Sequence, residues 1–279
     1  MPELPEVETI RRQVARCAVG LRLKRLRILH RGMVRPQKPL TIIRALEGQD
    51  LTAASRHGKV LVLHFGPWAL LIHFRMSGTV LAESAETELS PHVRMVFDFA
   101  ARDGSLRRLV LSDVRTLGRI ELCRADAVSE SRLMKNVGRD ALLDGLDGAA
   151  LHAMLVGRER PIKPFLLDQR YVAGLGNIYA AEALHRARIS PLRPCGDVSP
   201  RQAKSLWRAI VAILRRAVER EGTTISAFRT MNGGSGGFAR LLRVYGREGE
   251  RCLRRKCRGR IVRIAQGGRS TFYCPRCQS

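Results

Sequence analysis

Apolar residues recur at two different periods along this chain, and the change of period divides it. Val7, Ile10 and Val14 share one helical face while Arg11, Arg12 and Arg16 point elsewhere, which predicts an opening helix laid on something larger. From residue 21 the pattern becomes strand-like, with short apolar runs at 21–29, 51–54, 60–65, 69–74, 93–99, 106–111 and 119–123. Gly66-Pro67 between two of these runs reads as a hairpin turn. Many short strands with turn punctuation predict a sandwich or barrel. Residues 1–130 are therefore expected to form one β-sandwich domain with an opening helix.

The character then changes. Residues 126–150 are polar and carry Gly138, Asp140, Asp144, Gly145, Asp147 and Gly148, the composition of a linker leading into helices. Ser199-Pro200-Arg201-Gln202 has the signature of a helix start: Ser as N-cap, Pro at N1, and Gln placed to close a capping box. Leu206, Ile210, Ile213, Leu214 and Ala217 continue that helix with one apolar face. Residues 232–237 are glycine-rich and are expected to be a mobile loop. The expected fold class is α+β and multidomain: the sandwich at 1–130, a helical domain at 131–240, and a small module at 241–279.

Charge narrows the partners. Lys and Arg total 50 against 25 Asp and Glu, a formal charge of +25. A polyanion is the simplest partner, because each neutralised phosphate releases counterion and adds affinity independent of sequence. The basic residues are spread along the chain and not gathered on one amphipathic helix, which argues against a membrane surface. The most apolar stretch, 60–74, is interrupted by His64, Gly66, Pro67 and His73, so it is no membrane span. The first ten residues carry three glutamates and no apolar run, so no signal peptide is read there and a cytoplasmic location is expected.

Two stretches at opposite ends carry the chemistry. The chain starts Met1-Pro2-Glu3-Leu4-Pro5-Glu6-Val7-Glu8. Removal of Met1 would leave a secondary amine beside a carboxylate. An α-amino group has a pKa of about 7.7–8.0, so part of it is nucleophilic at neutral pH. Such an amine forms Schiff bases at electrophilic carbons, with the neighbouring acid managing protons. At the other end Cys252-x4-Cys257-x16-Cys274-x2-Cys277 has the spacing of a metal site. Between the pairs, residues 260–272 read as a β-hairpin turning on Gly267-Gly268, the body of a zinc ribbon. Four thiolates leave no position open for water, so the metal is expected to be one structural zinc. Cys17, Cys123 and Cys195 are isolated and read as inert thiols.

These residues, and others in order along the whole chain, resemble the formamidopyrimidine-DNA glycosylase and endonuclease VIII family of bacterial base-excision repair enzymes. The resemblance rests on the Pro2–Glu8 start, Arg56-His57-Gly58-Lys59, and His73-Phe74-Arg75-Met76-Ser77-Gly78. It continues through Leu167-Asp168-Gln169 into Gly174-Leu175-Gly176-Asn177-Ile178-Tyr179-Ala180, then Val244-Tyr245-Gly246-Arg247 and Cys274-Pro275-Arg276-Cys277-Gln278. It implies a helix–two-turn–helix element in the helical domain and a bifunctional glycosylase and AP lyase acting as a monomer on damaged double-stranded DNA. Pro2 would attack the sugar C1′ of a flipped nucleotide, Glu3 would shuttle the proton, and Lys59 would contact phosphate and assist. Glu6 would support the pocket. Asn177 and Arg269 would clamp phosphates, with Lys163, Tyr245 and His73 as further DNA contacts. Met76, Arg115 and Leu117 would fill the hole left in the duplex.

Departures from the family pattern matter. Asp113-Val114-Arg115-Thr116-Leu117-Gly118 occupies the place of Asp-Pro-Arg-Arg-Phe-Gly, so a leucine stands where an aromatic wedge is typical. Leucine still wedges a base step but lacks ring stacking, worth about 1–3 kcal/mol. His73-x-x-Met76 favours the formamidopyrimidine branch and oxidised purines such as 8-oxoguanine over the oxidised pyrimidines of endonuclease VIII. The lesion-covering loop at 223–237, Thr223-Thr224-Ile225-Ser226 and then a glycine-rich run, is unusual. Gly174-x-Gly176 is not a dinucleotide loop, because Tyr179 stands where the third glycine belongs. A non-enzymatic zinc-ribbon DNA binder shares the charge and finger but has no use for Pro2 beside Glu3. A ribosomal protein would want more aromatics than 5% for base stacking.

Overall fold

Glu3 is the N-cap of the first helix, α1 (Leu4–Ala18), and forms a reciprocal capping box with Glu6 at N3, with Pro5 in the first turn. Leu4, Val7, Ile10 and Val14 of α1 are fully buried, the expected face. The computed structural model describes residues 2–101, 104–225 and 228–279. Met1 lies outside the described residues, as does Ser226 of the lesion-loop expectation.

The N-terminal strands follow as β1 (Arg22–Ile28), a short helix α2 (Pro39–Leu46), β2 (Leu51–His57), β3 (Val60–Phe65), β4 (Trp68–His73), β5 (Thr79–Glu83), β6 (Val93–Ala100), β7 (Leu106–Ser112) and β8 (Arg119–Arg124). They form two four-stranded antiparallel sheets, ordered β1-β6-β7-β5 and β2-β3-β4-β8. Leu23, Phe97, Phe99 and Leu111 from the first sheet meet Leu61, Leu63, Leu70 and Ile72 from the second in one core. The expected β-sandwich is therefore what forms. Alternate residues Val60, Val62 and Leu71 face the other way and are covered by Val128, Leu133 and Met134. That second cover explains why β3 reads as an unbroken apolar run.

The second half holds β9 (Arg139–Asp140), α3 (Gly148–Leu155), α4 (Ile162–Leu167), β10 (Val172–Ala173), α5 (Asn177–Ala187), α6 (Pro200–Glu219), β11 (Val262–Gln266) and β12 (Arg269–Tyr273). Helix α6 starts as its sequence demands: the Gln202 side chain accepts from the Ser199 N–H at 3.0 Å and Ser199 Oγ accepts from the Gln202 N–H at 3.3 Å. Two turns separate α4 from α5, and Gln169 staples them. Its amide oxygen accepts from the Gly174 N–H at 2.9 Å and its amide nitrogen donates to Leu175 O at 2.8 Å. Gly138 passes so close that a Cβ there would meet Arg170 O at 2.3 Å.

The described residues group into two compact units: Met1–Asn136 with Arg220–Gly237, and Val137–Glu219 with Phe238–Ser279. Residues 220–237 thus pack with the sandwich, although the sequence placed them with the helices. The 232–237 loop expected to be mobile belongs to a segment tied at several points. Met231 N–H donates to Gln13 at 2.9 Å, Met231 O accepts from Ala82 N–H at 2.9 Å, and Gly236 N–H donates to Thr224 Oγ1 at 2.9 Å. Phe228 and Met231 enter the sandwich core. Among the described residues no helix is long and apolar enough to cross a membrane.

Candidate functional site

Pro2 and Glu3 are both buried at the positive end of α1. Glu6 holds that start in place: its carboxylate accepts from the Glu3 N–H at 2.7 Å and from the Thr223 N–H at 2.7 Å. Gly222, at φ +84°, leaves room for this, since a Cβ would lie 2.8 Å from Glu6 Oε1. Two residues further, Glu8 pairs with Arg11 at 2.9 Å, Arg12 at 2.7 Å and Arg56 at 3.3 Å. Arg56 in turn donates to Gly58 O at 3.1 Å. Gly58, at φ +55°, and Lys59 make the two-residue turn between β2 and β3, a place where a left-handed first residue favours glycine. The Glu8–Arg56 pair thus links the helix carrying Pro2 and Glu3 to the hairpin carrying Lys59, which is only 7% exposed.

Burial alone would raise the Glu8 pKa, but hydrogen bonds from Arg11 and Arg12 and the Arg11 and Arg56 charges outweigh it and hold the carboxyl at about 2. A folded value below the unfolded one stabilises the fold above the unfolded value and loses that contribution as pH falls through the folded one. Chemical denaturation of Glu8→Gln should therefore show a stability deficit at pH 7 that closes between pH about 4.5 and about 2. A deficit constant across that window would show that Glu8 acts through packing and not charge.

His73, Arg119 and the Gly58-Lys59 turn emerge at one end of the second sheet, because His57 pairs with Val60, Val60 with His73, and His73 with Arg119. Burial, with the neighbouring Arg75 and Lys59 charges, lowers the His73 pKa to about 4, so the imidazole is neutral at pH 7. Its Nδ1 accepts from the Arg75 N–H at 3.1 Å, which places the proton on Nε2. Two loops follow on this sandwich. Asp113, fully buried, accepts from Ser77 Oγ, from Gly118 N–H at 2.8 Å and from Arg115 N–H at 3.2 Å. That carboxylate fastens the Met76 loop to the Arg115–Leu117 loop while leaving Met76 42% and Leu117 39% exposed. Exposed apolar tips on a braced base suit insertion into a base stack. Asp113→Ala would strand the Gly118 N–H and the Ser77 hydroxyl, leaving the Arg115 N–H with Ser77 Oγ alone at 3.2 Å, at a cost of about 3 kcal/mol. Its melting temperature should drop and its lesion processing should fall with it; an unchanged melting curve would contradict the bracing role.

The second unit gathers the remaining residues. Asn177 is the first residue of α5. Lys163, 1% exposed, donates from Nζ to Asn177 Oδ1 at 2.6 Å and to Thr271 Oγ1 at 2.6 Å. Asn177 Nδ2 donates to Ser270 O at 3.0 Å. This network ties the start of α5 to β12, whose first residue is the exposed Arg269. Gly267 and Gly268, at φ +57° and +71°, form the tight turn ahead of it. The Tyr245 ring meets Phe272 edge-on at 5.1 Å. Tyr245 is held from behind by Glu182, a buried carboxylate that accepts the N–H groups of Arg243, Val244 and Tyr245 at 2.9–3.0 Å. Burial raises the Glu182 pKa, opposed by those three donors.

The four cysteines test their own expectation. Their sulfurs all lie within 4.8 Å of one another, with Cys252 to Cys277 at 3.8 Å and Cys257 to Cys274 at 3.7 Å. A tetrahedral zinc with bonds of about 2.3 Å places its sulfurs about 3.8 Å apart, so the donor set fits the ion. Gly259 allows the chain to pass, since a Cβ there would lie 2.6 Å from Cys274 Sγ. Cys252, Cys257, Cys274 and Cys277 hold one structural zinc. Of the isolated thiols, Cys17 and Cys123 are half-buried, and burial pushes the buried Cys195 up to about 11, in keeping with inert groups.

Glu8, Asp113, Glu182 and Gly259 are absent from the sequence-derived site. Asp113 heads the 113–118 segment, but only its burial and three donors reveal its work. Together the fold and the site define a DNA-binding zinc-ribbon protein whose Pro2-Glu3 start is buried. Residues 1–120 match the formamidopyrimidine-DNA glycosylase N-terminal domain, 137–229 the formamidopyrimidine-DNA glycosylase H2TH domain, and 249–279 the zinc finger found in FPG and IleRS. The chain is 36% identical to a formamidopyrimidine-DNA glycosylase of Pelotomaculum thermopropionicum, across 100% of this chain and 99% of that one. It is 39% identical to one of Sphingopyxis alaskensis, across 100% of both. A Lactococcus lactis FPG mutant in complex with a Fapy-dG-containing DNA matches with a TM-score of 0.92 at 31% identity, and 100% of both chains is covered. MutM with DNA containing carbocyclic 8-oxo-G matches at 0.90 and 32%, again over 100% of both. The chain belongs to the formamidopyrimidine-DNA glycosylase family.

Proposed function

We propose that this chain excises oxidised purines, 8-oxoguanine and ring-opened formamidopyrimidines, from duplex DNA and then cuts the strand, with the Pro2 amine as nucleophile. The observation that carries this reading is the buried Pro2-Glu3 start, clamped by Glu6 and linked through Glu8 and Arg56 to the Lys59 turn. A pure binder has no need of an amine held this way. Flipping the damaged nucleotide costs a few kcal/mol of stacking and pairing. Pro2 nitrogen then bonds to C1′ as the C1′–N bond to the base breaks, and the base leaves with a proton. Opening of the sugar, with Glu3 delivering a proton to the ring oxygen, yields an iminium between enzyme and DNA. The cation acidifies C2′–H, so loss of that proton expels the 3′ phosphate, and a second elimination expels the 5′ phosphate.

Lys59 and His73, at one end of the sheet, are assigned to phosphate, His73 as a neutral Nε2–H donor. Asn177 and Arg269 are assigned to the phosphate clamp with Tyr245 beside them. Lys163 orients Asn177 from within. Met76, Arg115 and Leu117 are assigned to the vacated base site, with Arg115 at the opposite base. Zinc supplies order to the finger, and the four thiolates complete its shell. The sandwich with residues 220–237, the helices and the finger divide these tasks. The setting is the cytoplasm, at the nucleoid, and the working unit is the monomer.

A Lactococcus lactis FPG has also been crystallised with DNA containing an oxidised pyrimidine, and Leu117 lacks an aromatic ring, so that class is the second reading. The test is end-labelled duplexes bearing 8-oxoguanine, a ring-opened purine or an oxidised pyrimidine. Faster cutting of the two purine lesions, leaving phosphates at both ends of a gap, supports the assignment. Faster cutting of the pyrimidine duplex would move the chain to the second reading, and cutting of none would remove the activity.

A further inference from the structure

The +25 charge is only partly used by a phosphate clamp at the start of α5. At the other end of that helix, about 13 Å along its axis, lies a cavity of about 510 Å³ within the second unit. Six arginines line it. Two are committed to local backbone: Arg243 donates to Leu253 O at 3.1 Å, and Arg254 donates to His185 O and Arg186 O. Arg254 Nε is buried with no hydrogen-bond partner among the described residues. The guanidiniums of Arg186, Arg216, Arg240 and Arg255 have no hydrogen bond or ion pair among the described residues. One carboxylate, Glu182, reaches the lining, but it is spent on the N–H groups of Arg243, Val244 and Tyr245. Neutralising the helix C-terminus calls for one or two cations, not six.

Apart from Glu182 and His185, whose Nε2 lies 3.4 Å from Cys252 Sγ, the rest of the lining is apolar, with Ile213 and Phe238 buried beneath and Leu253 49% exposed at the margin. A cationic ring over an apolar floor sorts the candidate occupants. A double helix presents phosphates on a convex ridge and has nothing to place on the apolar floor. Single-stranded nucleic acid adds stacking on exposed rings to its phosphate contacts. The aromatic side chain here, Phe238, is 4% exposed and tilted against Tyr179 at 5.7 Å, so its face is not offered. A carboxylate-rich segment with an apolar side chain satisfies both parts, since Arg pairs carboxylates in bidentate fashion and an anchor fills the floor. The volume lies within the range of about 300–1,000 Å³ typical of ligand sites.

We propose that this cavity is a docking site for an acidic peptide segment of a partner protein, one carrying leucine- or phenylalanine-like anchors among its Asp and Glu residues. It would tether the chain to that partner while leaving the Asn177 end of α5 clear. The probe is a fluorescein-labelled peptide of Asp and Glu containing two leucines, titrated by anisotropy against the zinc-loaded full chain. Arg216→Glu with Arg240→Glu should weaken it roughly tenfold or more, and replacing the peptide's leucines by serine should weaken it as well. Arg31→Glu with Arg44→Glu makes the same charge change in the other unit and should leave binding intact. The milder pair Arg216→Gln with Arg240→Gln should give an intermediate loss and guards against misfolding. Strand cutting at a lesion should be unchanged throughout. Equal weakening by both charge-reversed pairs, or indifference to the leucines, would overturn the proposal. So would an oligothymidine whose binding depends on Arg216 and Arg240 while the peptide fails to compete.

Discussion

A chain that keeps Met1 in front of Pro2 loses base excision and strand cutting by at least about 10³-fold while still binding lesion duplex, because the nucleophile becomes an amide nitrogen. The expectation separates chemistry from recognition. Glu6, Lys59 and the Asp113-braced loops remain in place in such a chain, so affinity should change little. Pro2→Gly should fall between. A primary amine gives an imine that must gain a proton before it withdraws electrons, whereas proline gives a charged iminium directly. Single-turnover cutting, measured beside an equilibrium binding curve on the same duplex, checks both halves. Retention of cutting by the Met1-bearing form would mean that another group attacks C1′.

The second large effect concerns the finger. Cys274→Ser removes one of four thiolates around a zinc whose binding, in modules of this kind, is worth about 10–16 kcal/mol. Zinc content should fall from one per chain to near none. The β11–β12 hairpin should become sensitive to protease, since its small core is built on Cys252, Cys274, Val244 and Ile261. DNA affinity should weaken at least about tenfold, as expected when one or more charge-assisted hydrogen bonds around Arg269 no longer form. The slope of log affinity against log salt should shrink by about one for each phosphate the finger ceases to neutralise. Unchanged slope and affinity would take the finger out of the DNA interface.

What the residues disclosed by themselves follows their physics. Local patterns were legible. The Ser199–Gln202 capping box, the Gly267-Gly268 turn and the strands at 60–65 and 93–99 depend on neighbours a few positions away, and all stand where expected. The short β5 and α2 escaped, because five and eight residues hold too little periodicity to stand out. Thiol spacing gave away the metal because two close pairs must converge on one ion.

The braces of the site were not legible. Asp113 reaches Ser77 across 36 positions, Glu182 reaches Tyr245 across 63, and Lys163 reaches Thr271 across 108. Each is a buried polar group whose purpose appears only when its distant donors or acceptors come together. The same reasoning explains residues 220–237, whose glycines looked like slack chain. Glu6, Gln13 and Ala82 hold its backbone, and neither their spacing nor their type announces it. The Pro2-Glu3 start and the four thiols were readable from their chemistry and the other candidates only through the family resemblance; Asp113 and Glu182, which brace them, were not.

A covalent bond between the Pro2 nitrogen and the lesion's sugar carbon is the step on which the proposed chemistry stands. Borohydride reduction during turnover on an 8-oxoguanine duplex, followed by protease digestion and mass spectrometry of the DNA-linked peptide, reads that bond directly. The expected product is one adduct, on the N-terminal peptide lacking Met1, with the DNA remnant at Pro2. An adduct on Lys59 or another lysine, or no trapped species on a duplex that the protein cuts, would contradict it.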